Sequence, residues 1–359
     1  MTPRISASSS WAKAGIARTQ STTSVRNIRM GVSLSDIGDT DDAAEWFHLP
    51  SGTIGGRRGC LSMTYKIATT DHSVGTLFRR IATDQVGSAI DALRDMPEDD
   101  PDEAVHDARK RIKKLRALLR LVRSSFPGYQ TENRYLRDNT RLVADYRDAV
   151  AVLEALDGIE PAAREAGVDL TEARKDLVER RRLLLTDPET WDRFTTLLTA
   201  LETVRSALPD WTLEADGWEA MEPGLMLTYK RARKGLKRAL DEPNGETLHE
   251  WRKRVKYHRY HARLLSPTWP GFFDVHQRAA KQLARILGDR HDLDVLDAHL
   301  EELSLPDKDR KAMSSLLSDE RDRLEAIALP LGQRLLADKP KALVGRWQTW
   351  WELRDAQAA

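Results

Sequence analysis

His106-Asp107-Ala108-Arg109-Lys110-Arg111-Ile112-Lys113-Lys114-Leu115-Arg116-Ala117-Leu118-Leu119-Arg120 returns about 143 residues later as His249-Glu250-Trp251-Arg252-Lys253-Arg254-Val255-Lys256-Tyr257-His258-Arg259-Tyr260-His261-Ala262-Arg263. The shared pattern is H-x-x-R-K-R-x-K-x-x-R-x-x-x-R. So many polar identities at fixed spacing mark an internal repeat, and a repeat decides how the rest of a chain is read. At 100° per residue on a helix, His106, Arg109, Lys110, Lys113, Arg116 and Arg120 fall on one stripe. Ala108, Ile112, Leu115, Leu118, Leu119 and Val122 take the opposite side. The second copy divides in the same way: His249, Arg252, Lys253, Lys256, Arg259 and Arg263 face away from Trp251, Val255 and Leu265. His258 and His261 fall on the less basic side, where they read as packing or polar-core histidines.

A second match follows, one residue out of phase with the first. Arg134, Arg137, Arg141, Asp145 and Asp148 stand opposite Arg278, Lys281, Arg285, Asp289 and Asp292. Steps of three and four residues put each set on a single face of one helix. A weaker echo pairs Glu179-Arg180-Arg181 with Glu320-Arg321-Asp322. Lys230, Arg233, Lys234 and Lys237 add a further basic stripe on a helix whose counterpart, the first helix of repeat one, is poorer in bases, with Arg79 and Arg80 and then Asp84.

The remaining sequence supports an all-α chain. Apolar residues recur at three and four from about Leu77 onward, and alternating β-branched runs are missing. Breakers fall between the periodic stretches at Met96-Pro97, Phe126-Pro127-Gly128, Asp157-Gly158, Asp187-Pro188, Leu208-Pro209, Pro243-Asn244-Gly245 and Trp269-Pro270-Gly271. These define two repeats, 74–210 and 216–356, of about four helices each, with the boundary near Pro209 to Trp218. Residues 1–62 differ: Ser, Thr and Gly are frequent, periodicity is absent, and Asp36 is the first acid. Such a stretch has the composition of an organelle transit peptide. It reads more simply as a disordered tail, or as an upstream extension with Met63 the real first residue, and it is assigned no fold and no function.

The charge balance is nearly exact, 57 Lys and Arg against 56 Asp and Glu, for a net charge of +1. A uniformly basic coat is therefore excluded. No run of about 18 apolar residues lacks a charge, which excludes a membrane-spanning helix. Cys60 is the only cysteine, so no disulfide or thiolate zinc cluster can form within the chain.

Between Ala108 and Val122 stand seven bases and no acid, and between Trp251 and Arg263 six bases and no acid. A solvated face normally mixes signs, because like charges at i, i+4 cost about 0.2–0.5 kcal/mol per pair. A bound polyanion is what such crowding accommodates. Arginine supplies a bidentate fork for phosphate and lysine a compact charge. Stripes on several helices form a track suited to a phosphate chain. The basic faces lack the interleaved aromatics of a base-stacking surface, which disfavours specific nucleic acid. No glycine-rich phosphate loop is present. Asp145, Asp148, Asp289 and Asp292 are expected to orient the arginines as acceptors.

The doubled H-x-x-R-K motif and the two Arg/Asp stripes make residues 74–355 resemble the CHAD family, the conserved-histidine α-helical domains. The resemblance implies two four-helix bundles related by a pseudo-twofold axis, with basic helices facing a central groove or pore that binds inorganic polyphosphate. Some members associate with polyphosphate granules, which implies a cytoplasmic setting and granule proteins as partners. Others adjoin a CYTH-type triphosphate hydrolase with an E-x-E-x-K motif, absent from this sequence. The alternative function is a metal-dependent phosphohydrolase using His106, His249, His291, Asp148 and Asp292. No His pair at i, i+4 stands beside an acid, and a cationic surrounding repels metal ions. The expectation is therefore no cofactor, no metal and no catalytic residue.

Overall fold

The computed structural model describes residues 65–358, and among these there are helices and connections but no strand. The expectations for residues 1–62 and Met63 lie outside the described residues. The first half holds α1 (Val74–Arg94), α2 (Asp102–Leu121), α3 (Tyr129–Arg141), α4 (Ala144–Glu165), α5 (Thr171–Thr186) and α6 (Pro188–Ala207). The second holds α7 (Gly217–Asp241), α8 (Gly245–Leu265), α9 (Pro270–His299), α10 (Asp307–Leu335) and α11 (Pro340–Ala358).

Local chemistry sets many of the boundaries. Ser73 with Thr76 and Asn244 with Thr247 form reciprocal capping boxes at α1 and α8. Asp187 caps α6 just ahead of Pro188. Asp102 and Glu103 lie in the first turn of α2, where they complement the helix dipole. Where about four helices per repeat were expected, the first half has six α-helices and the second five among the described residues; where α9 runs unbroken, the first half breaks between α3 and α4.

Two sequence expectations need correction. Asp157-Gly158 is not a breaker but lies within α4. Leu156 and Ile159 on either side are buried, and Asp157 pairs with Arg174 of α5 at 2.5 Å. That burial outweighs the roughly 1 kcal/mol cost of a mid-helix glycine. The break comes later, at Gly167, with φ of 75°. The second correction concerns Arg134 to Asp148, which do not share one helix. Arg134, Arg137 and Arg141 belong to α3, while Asp145 and Asp148 belong to α4.

The two halves share one continuous apolar core. His261 Nε2 lies 2.9 Å from the Ala117 carbonyl oxygen, and Arg120 covers the ring of Tyr257. As α2 advances from 117 to 120, its contacts on α8 retreat from 261 to 257. The motif helices therefore cross near equivalent positions. Gly224 of α7 lies against the end of α2, where a Cβ would overlap the carbonyl oxygens of Leu121 and Arg120. Asp216, just ahead of α7, accepts a hydrogen bond from the Val74 N–H at the start of α1 (2.7 Å). On α11, Trp347, Trp350 and Trp351 form a docked, buried face. Among the described residues no helix is long and apolar enough to cross a membrane.

Candidate functional site

The crossing of α2 and α8 leaves Arg109 and Lys113 of α2 in the same electrostatic neighbourhood as Arg252 and Lys256 of α8. Lys113 is accessible to solvent, yet the surrounding protein lowers its pKa to about 7. Arg109, Arg252 and Arg147 push in the same direction, and Asp292 opposes them. Lys256 is held well below the usual lysine range by burial, Arg252 and Lys113. The acids of this groove, Asp148, Asp289 and Asp292, are shifted upward, chiefly by loss of solvent. An accessible lysine with a depressed pKa is the signature of a concave site crowded with like charge.

Each central arginine is fixed by the helix beside it. Arg109 Nη1 donates to the Thr140 carbonyl oxygen at 3.1 Å. Thr140 is one of the last residues of α3, whose terminal carbonyls lack helical partners because the helix breaks at Leu142. In the second half the helix is continuous, and Arg252 instead lies against Gly288, where a Cβ would come 3.1 Å from Nη2. Arg147 is anchored through Nη2 to Glu154 at 2.6 Å. Arg109 Nε, Arg147 Nη1, Arg252 Nε and His249 Nδ1 are buried and have no hydrogen-bond partner. Each such orphan costs about 1–3 kcal/mol, so a group of them from both halves points to a ligand.

The motif histidines border the same space. Loss of solvent, followed by Arg147, Lys113 and Lys110, lowers His106 to about 4. His249 is lowered to about 4, mainly by burial and then by Lys253 and Arg252. Its ring centre is 4.0 Å from that of His291, which is lowered to about 3. Both motif histidines are neutral at pH 7 in the free protein.

A second cationic group gathers where α2 ends. Arg120 Nη1 donates to the Arg116 carbonyl (2.7 Å) and Arg123 Nε to the Arg120 carbonyl (2.9 Å). Arg116 Nε reaches Asn133 at 3.3 Å. Arg120 and Arg123 both feel Arg231 of α7 and Arg254 of α8, and Arg123 is lowered to about 10, mainly by burial.

The CHAD domain model matches residues 81–301, more than half of the sequence. The chain belongs to the CHAD domain family. Polyphosphate binding is an association of that family. No curated protein matches the chain significantly.

Several residues of this CHAD domain differ in placement from the sequence expectation. Asp145 pairs with Arg193 of α6 at 2.9 Å instead of orienting the motif arginines. Lys110 lies 3.8 Å from Asp107, and Lys253 lies 2.6 Å from Glu250, each within its own helix. Arg134, Arg137 and Arg141 are exposed along α3; Arg137 pairs with Asp138 and lies within electrostatic reach of Arg116. Arg278, Lys281 and Arg285 are exposed on α9, with Arg285 beside Asp289. Arg259 sits 5.9 Å from the Tyr260 ring, and Arg263 lies near Tyr65. Lys230, Lys234 and Lys237 are exposed, while Arg233 lies near Tyr229.

The residue of α7 that reaches the motif helices is Arg231, which the stripe omitted. Arg147 was also missed, although the register that pairs Asp148 with Asp292 sets Arg147 opposite His291. His258 and His261 are fully buried, and His258 Nε2 meets His276 Nε2 at 2.8 Å. Among the described residues no group of three or more His, Cys, Asp or Glu could hold a metal ion. Beyond Asp148 the surface turns acidic, in an open cleft of about 790 Å³ lined by Asp145, Asp176, Glu179, Asp187 and Glu302 among others.

Proposed function

We propose that this CHAD protein binds inorganic polyphosphate in the groove between α2 and α8, without catalysing its cleavage. The observation that carries the reading is the set of buried, unpartnered donors on Arg109, Arg147, Arg252 and His249. A chain of phosphates supplies acceptors to all of them and restores the charge of Lys113. His106, Lys256, Asp148, Asp289 and Asp292 border the chain, the acids holding the arginine forks in place. Arg116, Arg120, Arg259 and Arg263 extend the track along both motif helices. Attachment to polyphosphate granules in the cytoplasm, beside other granule proteins, follows from such binding.

Titration with long-chain polyphosphate at two salt concentrations tests this. Binding is submicromolar at low salt and weakens steeply as salt rises, through counterion release. Lys113→Ala lowers the slope of log affinity against log salt by about one, the share of one phosphate contact. A salt-independent affinity, or a Lys113→Ala protein that binds with the wild-type slope, contradicts the proposal. Duplex DNA, offered in competition to the same protein, displaces polyphosphate poorly.

A further inference from the structure

Beyond the groove the two basic stripes continue along their own helices. One leaves along Arg116, Arg120 and Arg123, the other along Arg259 and Arg263. The two ends differ in charge. At the first, Arg120 and Arg123 each lie within electrostatic reach of Arg231 and Arg254. Glu250 holds Arg254 at 3.2 Å, but among the described residues no acid forms an ion pair with Arg120, Arg123 or Arg231. The donors of Arg120 and Arg123 go to backbone carbonyls of α2 and to Thr228, and their neighbours are the rings of Tyr257 and Tyr129.

The repeat register shows what the other end has in the same places. The residues preceding α1 and α7, Ser73 and Asp216, are about 143 apart, as are Phe126-Pro127-Gly128 and Trp269-Pro270-Gly271. In that register Ser266 stands for Arg123, Ser88 for Arg231, and Arg111 for Arg254. Asp84 replaces Leu227, within reach of Arg111, Lys114 and Arg80. Asp71 holds Arg80 through two hydrogen bonds of 2.7 and 2.6 Å, and Asp107 pairs with Arg111 at 3.2 Å. The second end is thus short of two arginines and supplied with acids. The acidic cleft beyond Asp148 closes a further direction to a polyanion.

We infer that a polyphosphate chain held in the central groove leaves it on one side only, over an arginine outlet formed by Arg123, Arg231 and Arg254 beside Arg120. The inference rests on the proposed function and adds a direction to it. The groove holds a short phosphate chain, and the outlet takes the extra phosphates of a long one.

The test uses the full chain with Cys60→Ser, carrying an environment-sensitive dye on Arg231→Cys or, in a second protein, on Ser88→Cys. Long-chain polyphosphate changes the emission at position 231 and leaves position 88 unchanged, and tripolyphosphate changes neither. Equal responses at both positions, or a silent position 231, overturn the one-sided outlet. In an unlabelled protein, Arg123→Glu with Arg231→Glu weakens long-chain binding about tenfold or more and leaves tripolyphosphate binding within about twofold. Arg231→Glu alone, at an exposed site, gives a smaller loss of the same kind and guards against a folding defect. Equal losses for both ligands overturn the outlet as well. A wild-type protein that binds neither ligand overturns the groove itself.

Discussion

The Arg120 guanidinium carbon lies 4.2 Å from the centre of the Tyr257 ring, which ties the two motif helices together across the repeat. Arg120 is 8% exposed, so the pair is largely shielded from water. A shielded cation over an aromatic face contributes up to about 2 kcal/mol. Tyr257→Leu keeps an apolar side chain but removes the ring, and lowers stability by about 1–2 kcal/mol in urea unfolding. An unchanged midpoint at an unchanged slope would show that the pair holds nothing.

The groove also makes binding depend on pH. Lys113, at about 7 in the free protein, regains its proton beside phosphate, as do His106 and His249 from about 4. Binding therefore takes up protons, and affinity falls as pH rises from 6 to 9. Stability of the free protein runs the other way. The lysine pKa is lower folded than in its ordinary range at 10.5, so the unfolded chain binds more protons between about 7 and 10.5. Raising the pH through that window stabilises the free fold. Calorimetry in buffers of different ionisation heat, together with unfolding at pH 7 and 9, checks both signs.

Gly224 governs how closely α7 approaches α2. A Cβ there overlaps backbone oxygens of Leu121 and Arg120, which cannot rotate away as a side chain could. Gly224→Ala lowers stability by about 1–3 kcal/mol, despite alanine's better helix propensity. It also displaces Arg231 from Arg120 and Arg123. A variant as stable as the wild type would refute this close contact.

Metal-assisted cleavage of a phosphoanhydride needs a bound cation, and the groove is lined by arginines and lysines that repel one. Incubation with long-chain polyphosphate and Mg²⁺ or Mn²⁺ releases phosphate no faster than a protein-free control. Turnover that disappears in His106→Ala would make the protein a phosphohydrolase.

Much of this was legible in the residues. The doubled motif located the basic helices, and the apolar faces of Ile112 and Leu115, and of Trp251 and Val255, are buried as periodicity requires. His258 and His261 were separable from the basic stripe by angle alone. Arg147 was not legible, because its repeat partner is a histidine and identity matching passes over it. Arg231 was hidden for another reason: it lies one residue from the stripe of Lys230, Arg233, Lys234 and Lys237. The break at Leu142 had no glycine or proline to announce it, and the Thr140 carbonyl it leaves without a helical partner is met by an arginine from another helix.

The sequence by itself determined an all-helical chain with an internal repeat and basic stripes free of acids. Those properties follow from spacing along one axis, which fixes the angle of each side chain on its own helix. Only the tertiary structure decided which cations share a space and which acids answer them. That depends on the rotation and crossing of one helix against another, set by contacts such as Gly224 on Leu121 and His261 on Ala117. Spacing within a single helix carries no information about either.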